Sequence, residues 1–186
     1  FLKAGLVFAD MITTVSPTYA KEILTPEMGF GLEGVLQARR DRLVAVTNGI
    51  DHQTWDPSRD PYLAATYGPD NLAPKLRCGE QARQLMGLAP SNGRPLACFI
   101  GRLVDRRGMD LLVSSLETIL EMGLDLAVMG YGEDRYHVLL QDLRRRNPER
   151  LGVYVGYEME MAHQLVAGSD MLLMPSRYEP CGLHQL

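Results

Sequence analysis

The pattern of apolar and polar positions changes character near residue 95. Beyond Pro95, short apolar runs alternate with longer amphipathic stretches. Strands are predicted at Leu96 to Ile100, Asp125 to Met129, Gly152 to Val155 and Met171 to Met174. Helices are predicted between them at Arg107 to Met122, Gly132 to Arg146 and Glu158 to Ala167. Short unbroken apolar runs suit strands buried on both faces, while apolar residues three and four apart suit helices lying on a sheet. Strands and helices alternating at these lengths predict an α/β fold built on a doubly wound, Rossmann-like parallel sheet.

The first half is less regular. Phe1 to Ala9 reads as a helix, and the β-branched run at Met11 to Val15 as a strand. Ser16-Pro17 follows as an N-cap with proline at the first helical position, opening a helix through Leu24. Tyr19 on that helix reads as a packing aromatic. Thr25 to Gly34, with Pro26 and three glycines, is expected to be a loop. A second strand is predicted at Leu43 to Thr47, and Asn48-Gly49 reads as a turn because both residues tolerate positive φ. Residues 51 to 92 are polar and proline-rich, with one helix expected at Leu76 to Met86 and Trp55 as a packing anchor.

Composition narrows the partners. With 46% hydrophobic and 23% charged residues, 186 residues can bury a sizeable core. A net charge of -4 gives no electrostatic reason to expect nucleic acid or an anionic membrane. Cys78, Cys98 and Cys181 lie far apart, which argues against a disulfide framework or a zinc site and suits a reducing compartment. No apolar run approaches the roughly 20 residues of a membrane span.

Candidate chemistry gathers where strands end. Gly101-Arg102, Gly130-Tyr131-Gly132, Gly156-Tyr157 and the turn Ser176 to Gly182 each follow a predicted strand. In a parallel sheet those positions share the carboxyl rim, where ligands bind. The Gly-x-Gly by itself is a weak signal. There is no P-loop, no Asp-x-Asp pair and no zinc-protease spacing. Arg102 and Arg107 flank a short loop entering a helix, and arginine can grip phosphate oxygens with two parallel bonds. Pro180 biases Glu179 toward an extended backbone, and the N–H groups of Cys181 to Leu183 would form the positive end of a helix. A carboxylate there suits a sugar linked to a phosphate, although an ordinary strand-turn-helix corner fits the same spacing. His163, alone in the middle of a helix, reads as structural or interdomain. Arg144 to Arg146 read as a solvated helix end.

The stretch PSRYEPCGL closely resembles the turn in the C-terminal domain of glycogen and starch synthases, retaining glucosyltransferases that extend α-1,4-glucan. SPTYAKEI, TNGID and GRLVDRRGMDLL carry the same resemblance in the same order along the chain. It implies a GT-B fold, with two Rossmann-like domains facing across a cleft. The chain is then expected to be an internal fragment. Residues 1–47 would be the tail of the N-terminal domain, and residues 48–186 the hinge and first part of a C-terminal nucleotide-sugar domain. Asn48 and Gly49 would form the hinge.

The resemblance also implies roles. The donor would be ADP-glucose or UDP-glucose, a nucleotide sugar, and the acceptor an α-glucan. No cofactor and no metal would be needed. Arg102 and Arg107 would hold the diphosphate, with Arg107 standing where the family usually has lysine. Glu179 would lie near the glucose. Gly101, Gly130, Tyr131, Gly132, Tyr157, Cys181, Gly182 and Leu183 would contact the donor. The family's active-site histidine and its second carboxylate fall outside this sequence, so the isolated segment is expected to be inactive. A bacterial cytoplasm or plastid stroma is the implied location. Two alternatives stay open: a retaining transferase of the sucrose or trehalose-phosphate type, and a non-catalytic nucleotide- or protein-binding module.

Overall fold

In the computed structural model the described residues are 1–185. The chain divides into two compact units, one formed by Phe1–Asp51 together with Glu179 onward, the other by His52–Tyr178.

The larger unit is built on four parallel strands, β3 (Leu96–Ile100), β4 (Asp125–Gly130), β5 (Leu151–Val155) and β6 (Met171–Leu172). Their order across the sheet is β5-β4-β3-β6. Leu96 pairs with Asp125 and Ala97 with Met171, so all four carboxyl ends point the same way. Side chains alternate across the sheet, and each face has its own core. Ala97, Phe99, Leu126 and Val128 pack with residues of α6 (Met109–Ser114), α7 (Leu116–Glu121) and α8 (Asp134–Arg146). Leu96, Cys98, Ile100, Ala127 and Met129 pack with α5 (Lys75–Met86) and α9 (Met159–Gly168). Burial on both faces is why these strands read as unbroken apolar runs.

The winding reverses once. From β3 through β4 to β5 the chain moves outward, with its helices on one face. It then returns through α9 on the opposite face and adds β6 on the other side of β3. The point of reversal lies between β3 and β6, and in sheets of this kind ligands bind at the carboxyl ends beside it.

The amino end of the sheet is closed by charge. Asp125, fully buried, accepts from Arg83 at 2.5 Å, Arg94 at 3.0 Å and Arg150 at 2.8 Å. Arg150 also donates to the Leu120 and Leu124 carbonyls. Burial pushes the Asp125 carboxyl up, but hydrogen bonds from Arg150, Arg83 and Arg94 together hold it below the usual carboxylate range.

The smaller unit has a parallel pair, β1 (Ile12–Thr14) and β2 (Leu43–Ala45), with Ile12 opposite Leu43. Short helices α1 (Leu2–Phe8), α2 (Pro17–Glu22), α3 (Pro26–Gly29) and α4 (Glu33–Ala38) accompany it. Ile12, Ile23 and Leu36 form its buried cluster, against which Tyr19 packs. Ser16 caps α2 as its sequence suggests, accepting from the Tyr19 N–H at 3.2 Å.

Several sequence expectations are corrected. Thr25 to Gly34 is not a loop: Pro26 starts α3, Phe30 ends it in the left-handed region, and α4 follows. The single helix expected over Arg107 to Met122 is three pieces. A 3-10 turn, Asp105–Arg107, leads into α6 and α7, which are separated at Ser115, and the Ser114 hydroxyl bonds back to the Leu111 carbonyl. Asn48-Gly49 is not a positive-φ turn; that geometry falls at Asn92-Gly93, just before β3. Regular pairing of β6 stops at Leu172, two residues short of expectation. Among the described residues no helix is long and apolar enough to cross a membrane.

Candidate functional site

The loop after β3 is held down at every second residue. The Gly101 N–H donates to the Met129 carbonyl at 3.0 Å and the Leu103 N–H to the Tyr131 carbonyl at 2.9 Å. Leu103 is fully buried, and its carbonyl accepts from the Glu133 N–H at 3.0 Å. Asp105 accepts from the Tyr136 hydroxyl and from Arg135 at 2.7 Å, tying the loop to the start of α8. The Tyr136 and Arg135 bonds, in that order, hold the Asp105 carboxyl low. Burial, then the bond to Asp105, pushes the Tyr136 hydroxyl up to about 12. Arg102 is left exposed on this framework and Arg107 half-buried.

Those two cations do not stand alone. Burial, then the Arg106 and Arg102 guanidiniums, hold Arg107 below the ordinary arginine value. The two neighbouring guanidiniums mark a concentration of positive charge around Arg107. Planar guanidiniums can each take two phosphate oxygens.

The glycines of the neighbouring loop serve the same approach of backbones. A Cβ on Gly130 would lie 1.8 Å from the Gly101 carbonyl oxygen, and one on Gly132 would lie 2.4 Å from that of Leu103. The Gly-x-Gly therefore lets the β3 and β4 loops run side by side. Tyr131 and Tyr157, 55% and 49% exposed, follow β4 and β5 directly and put two half-exposed rings on the same rim. Such rings suit a flat heteroaromatic group.

The segment after β6 meets the β3 loop at the point of reversal. Gly108, at φ +72°, comes so close to Pro175 that a Cβ would lie 2.1 Å from the Pro175 carbonyl oxygen. Arg177 grips Asp110 with both nitrogens of its fork, one bond at 2.5 Å and the other at 2.7 Å. It also donates to the Asp105 carbonyl at 3.1 Å, and its N–H to the Arg106 carbonyl at 3.0 Å. The Arg106 guanidinium lies 5.9 Å from the Tyr178 ring centroid.

Of the sequence candidates, Gly101, Arg102, Arg107, Gly130, Tyr131, Gly132 and Tyr157 thus share one rim. Glu179, Cys181, Gly182 and Leu183 belong to the segment grouped with the first 51 residues. There Asn48 Nδ2 donates to the Cys181 carbonyl at 3.0 Å, joining residues 133 apart in sequence. The residue placed at the hinge therefore spends its side chain on the turn that follows Glu179. Gly49 is exposed, with open space around it. Leu183 opens a 3-10 turn, Leu183–Gln185, and Leu186 lies outside the described residues.

His163 is buried, at 2% exposure. Its Nδ1 lies 2.6 Å from Asp60 Oδ2, and its ring stacks under Trp55 at 3.8 Å. It fastens residues 52–62 to α9, as its lone place on a helix suggests. Among the described residues no cluster of His, Cys, Asp or Glu is arranged to hold a metal ion. Sequence reasoning assigned no role to Arg177 and did not single out Asp110, because the 67 residues between them leave no local signal.

Residues 83–186 match the family model "Glycosyl transferases group 1", and residues 1–38 match "Starch synthase catalytic domain". The chain is 49% identical to a glycogen synthase of Halorhodospira halophila, over 100% of this chain and 39% of the relative. It therefore spans about two fifths of the length of that relative. Among solved structures, it matches the catalytic domain of starch synthase IV from Arabidopsis thaliana, bound to ADP and acarbose. That match has a TM-score of 0.93 and 31% identity, over 99% of this chain and 38% of the other. It also matches sucrose-phosphate synthase from Thermosynechococcus elongatus at TM-score 0.61 and 18% identity, over 98% and 39%, a likeness of fold alone. The fold is the α/β, GT-B type of these glycosyltransferases.

Proposed function

The chain belongs to the glycosyl transferases group 1 family, and on that premise we propose that the protein carrying it elongates α-1,4-glucan. Glucose is transferred from ADP-glucose or UDP-glucose to the non-reducing end, with retention at the anomeric carbon. The observation that carries this reading is the arginine group, Arg102, Arg106 and Arg107, on the loop after β3 at the reversal point of a parallel sheet. Breaking the bond between sugar and diphosphate puts negative charge on the leaving phosphate, and cations fixed in advance stabilise it without rearranging. Arg102 and Arg107 take that role, and no metal ion is assigned to it. Arginine at 107 keeps the charge and adds a second donor to the grip.

Tyr131 and Tyr157 border the nucleoside, and Gly101, Gly130 and Gly132 let backbone approach the donor. Glu179 binds a glucose hydroxyl and steadies positive charge at the anomeric carbon. The Cys181 to Leu183 backbone also contacts the donor, and within that segment's own unit Asn48 holds the Cys181 carbonyl. Preference for glucan over a sucrose-type acceptor rests on 49% identity to a glycogen synthase, against 18% to the sucrose-phosphate enzyme. The bacterial relative favours a bacterial cytoplasm as the location, with a plastid stroma as the alternative.

The test uses the full-length protein that carries this chain. Labelled ADP-glucose or UDP-glucose and a glycogen primer are expected to give labelled, amylase-sensitive polymer without added metal. Absence of polymer with either donor, or strict dependence on a divalent ion, defeats the reading.

A further inference from the structure

Arg177 sits where the two directions of winding meet. Its side chain reaches back 67 residues to Asp110 in the first turn of α6. Its backbone N–H and one guanidinium nitrogen take the Arg106 and Asp105 carbonyls, both in the 3-10 turn that delivers Arg107. The bond to Asp110 raises Arg177 above the ordinary arginine value and lowers the Asp110 carboxyl. Together with the Gly108–Pro175 contact, these bonds lock the loop carrying Arg102 and Arg107 to the segment leaving β6.

The pair is an unusual investment for stability. Arg177 is 47% exposed and Asp110 42% exposed, and exposed ion pairs contribute little to folding. Yet the fork geometry fixes orientation as well as distance, which a single ammonium could not do. The guanidinium also donates to the Asp105 carbonyl and the backbone N–H to that of Arg106, the two residues that precede Arg107. The local effect is to set the height and direction of the loop from which the Arg107 guanidinium leaves the backbone. Arg177 itself is committed to Asp110 and Asp105.

We infer that Arg177, through its fork on Asp110 and its bonds to the Asp105 and Arg106 carbonyls, is a positioning residue that sets Arg102 and Arg107 for the leaving diphosphate. This rests on the function proposed above. An error of about 1 Å in the placement of a reacting or stabilising group can cost on the order of 10²-fold in rate. Losing the lock therefore acts on turnover more than on folding.

The experiment compares the full-length wild type with Arg177→Ala, Asp110→Ala, the double variant and Arg177→Lys. Arg145→Ala, which breaks another exposed pair on α8, is the control. Glucan synthesis, donor KM and thermal midpoint are measured for each. Arg177→Ala and Asp110→Ala are each expected to lower kcat by about 10- to 10²-fold. Donor KM changes by less than about threefold, because charge placement matters most as the bond breaks. The double variant is expected to match the worse single variant, since both remove one interaction. Arg177→Lys restores part of kcat, and Arg145→Ala leaves it unchanged.

A kcat within about threefold of wild type for Arg177→Ala overturns the inference. So do effects that multiply in the double variant, or a KM change that accounts for the whole loss. If Arg177→Ala and Arg177→Lys both fail to fold, the pair carries stability and the inference is wrong. Wild-type polymer with normal Arg177→Ala turnover defeats this inference alone. No polymer from the wild type defeats the functional reading and this inference with it.

Discussion

Each end of the large sheet has a group of three arginines near one another, in opposite surroundings. At the amino end Arg83, Arg94 and Arg150 converge on the buried carboxylate of Asp125. At the carboxyl end Arg102, Arg106 and Arg107 crowd one another, and burial together with both neighbours depresses Arg107. The first group is satisfied within the protein, so its free energy belongs to folding. The second keeps like charges close, a cost that a bound diphosphate, as proposed above, would offset. Position in the topology separates them: β-strand starts are sealed, while the loops after β3 and β6 meet where the winding reverses.

The largest effect expected from this contrast is on stability at the amino end. Asp125→Ala strips the partner from three arginines and should cost about 3–5 kcal/mol, read from urea unfolding. Acid should reach the same point. The folded carboxyl is depressed, so its contribution is full above the unfolded value near pH 4 and is lost as pH falls through the lower folded value. Asp125→Asn should flatten that part of the profile; an unchanged acid slope would mean other carboxylates control it.

At the carboxyl end the effect should move from stability to turnover. In the full-length protein Arg102→Ala should lower kcat by at least about 10²-fold. Its unfolding free energy should stay within about 0.5 kcal/mol of wild type. A tenfold loss or less would make Arg102 peripheral and remove the contrast.

Gly130→Ala should fall between these cases and mix them. Its Cβ meets the Gly101 carbonyl oxygen, so forced separation of the two loops should cost about 1–3 kcal/mol and weaken ADP binding together. Calorimetry showing normal ADP affinity in a destabilised variant would place the donor elsewhere. The smallest effect is expected at Asp142, whose pairs with Arg145 and Arg146 are exposed. Asp142→Ala should change stability by less than about 0.5 kcal/mol and leave turnover alone.

The sequence by itself determined the fold class and the alternation of strands and helices beyond Pro95. β3 was legible to the residue, because burial on both faces leaves five consecutive apolar positions. The N-cap at Ser16 was legible because capping is settled within three residues. Parallel alternation alone puts Arg102, Arg107, Gly130, Tyr131, Gly132 and Tyr157 on one rim. Interactions spanning one to four residues, or repeating with the period of a helix or strand, leave a pattern that can be read along a chain.

What only the tertiary structure decided involves residues far apart. The strand order could not be read, because β6 inserts beside β3 by packing, after the chain has passed β4 and β5. The reason for glycine at 130 lies in a carbonyl 29 residues earlier, at Gly101. Asn48 looked like a turn residue until its side chain was found on the Cys181 carbonyl. Arg177 and Asp110 leave no local signal, and Asp125 reads only as the first residue of a strand. Each acquires its role from a partner 25 to 133 residues away. A single polar side chain carries no periodicity, and its free energy is set by the partner the fold brings to it.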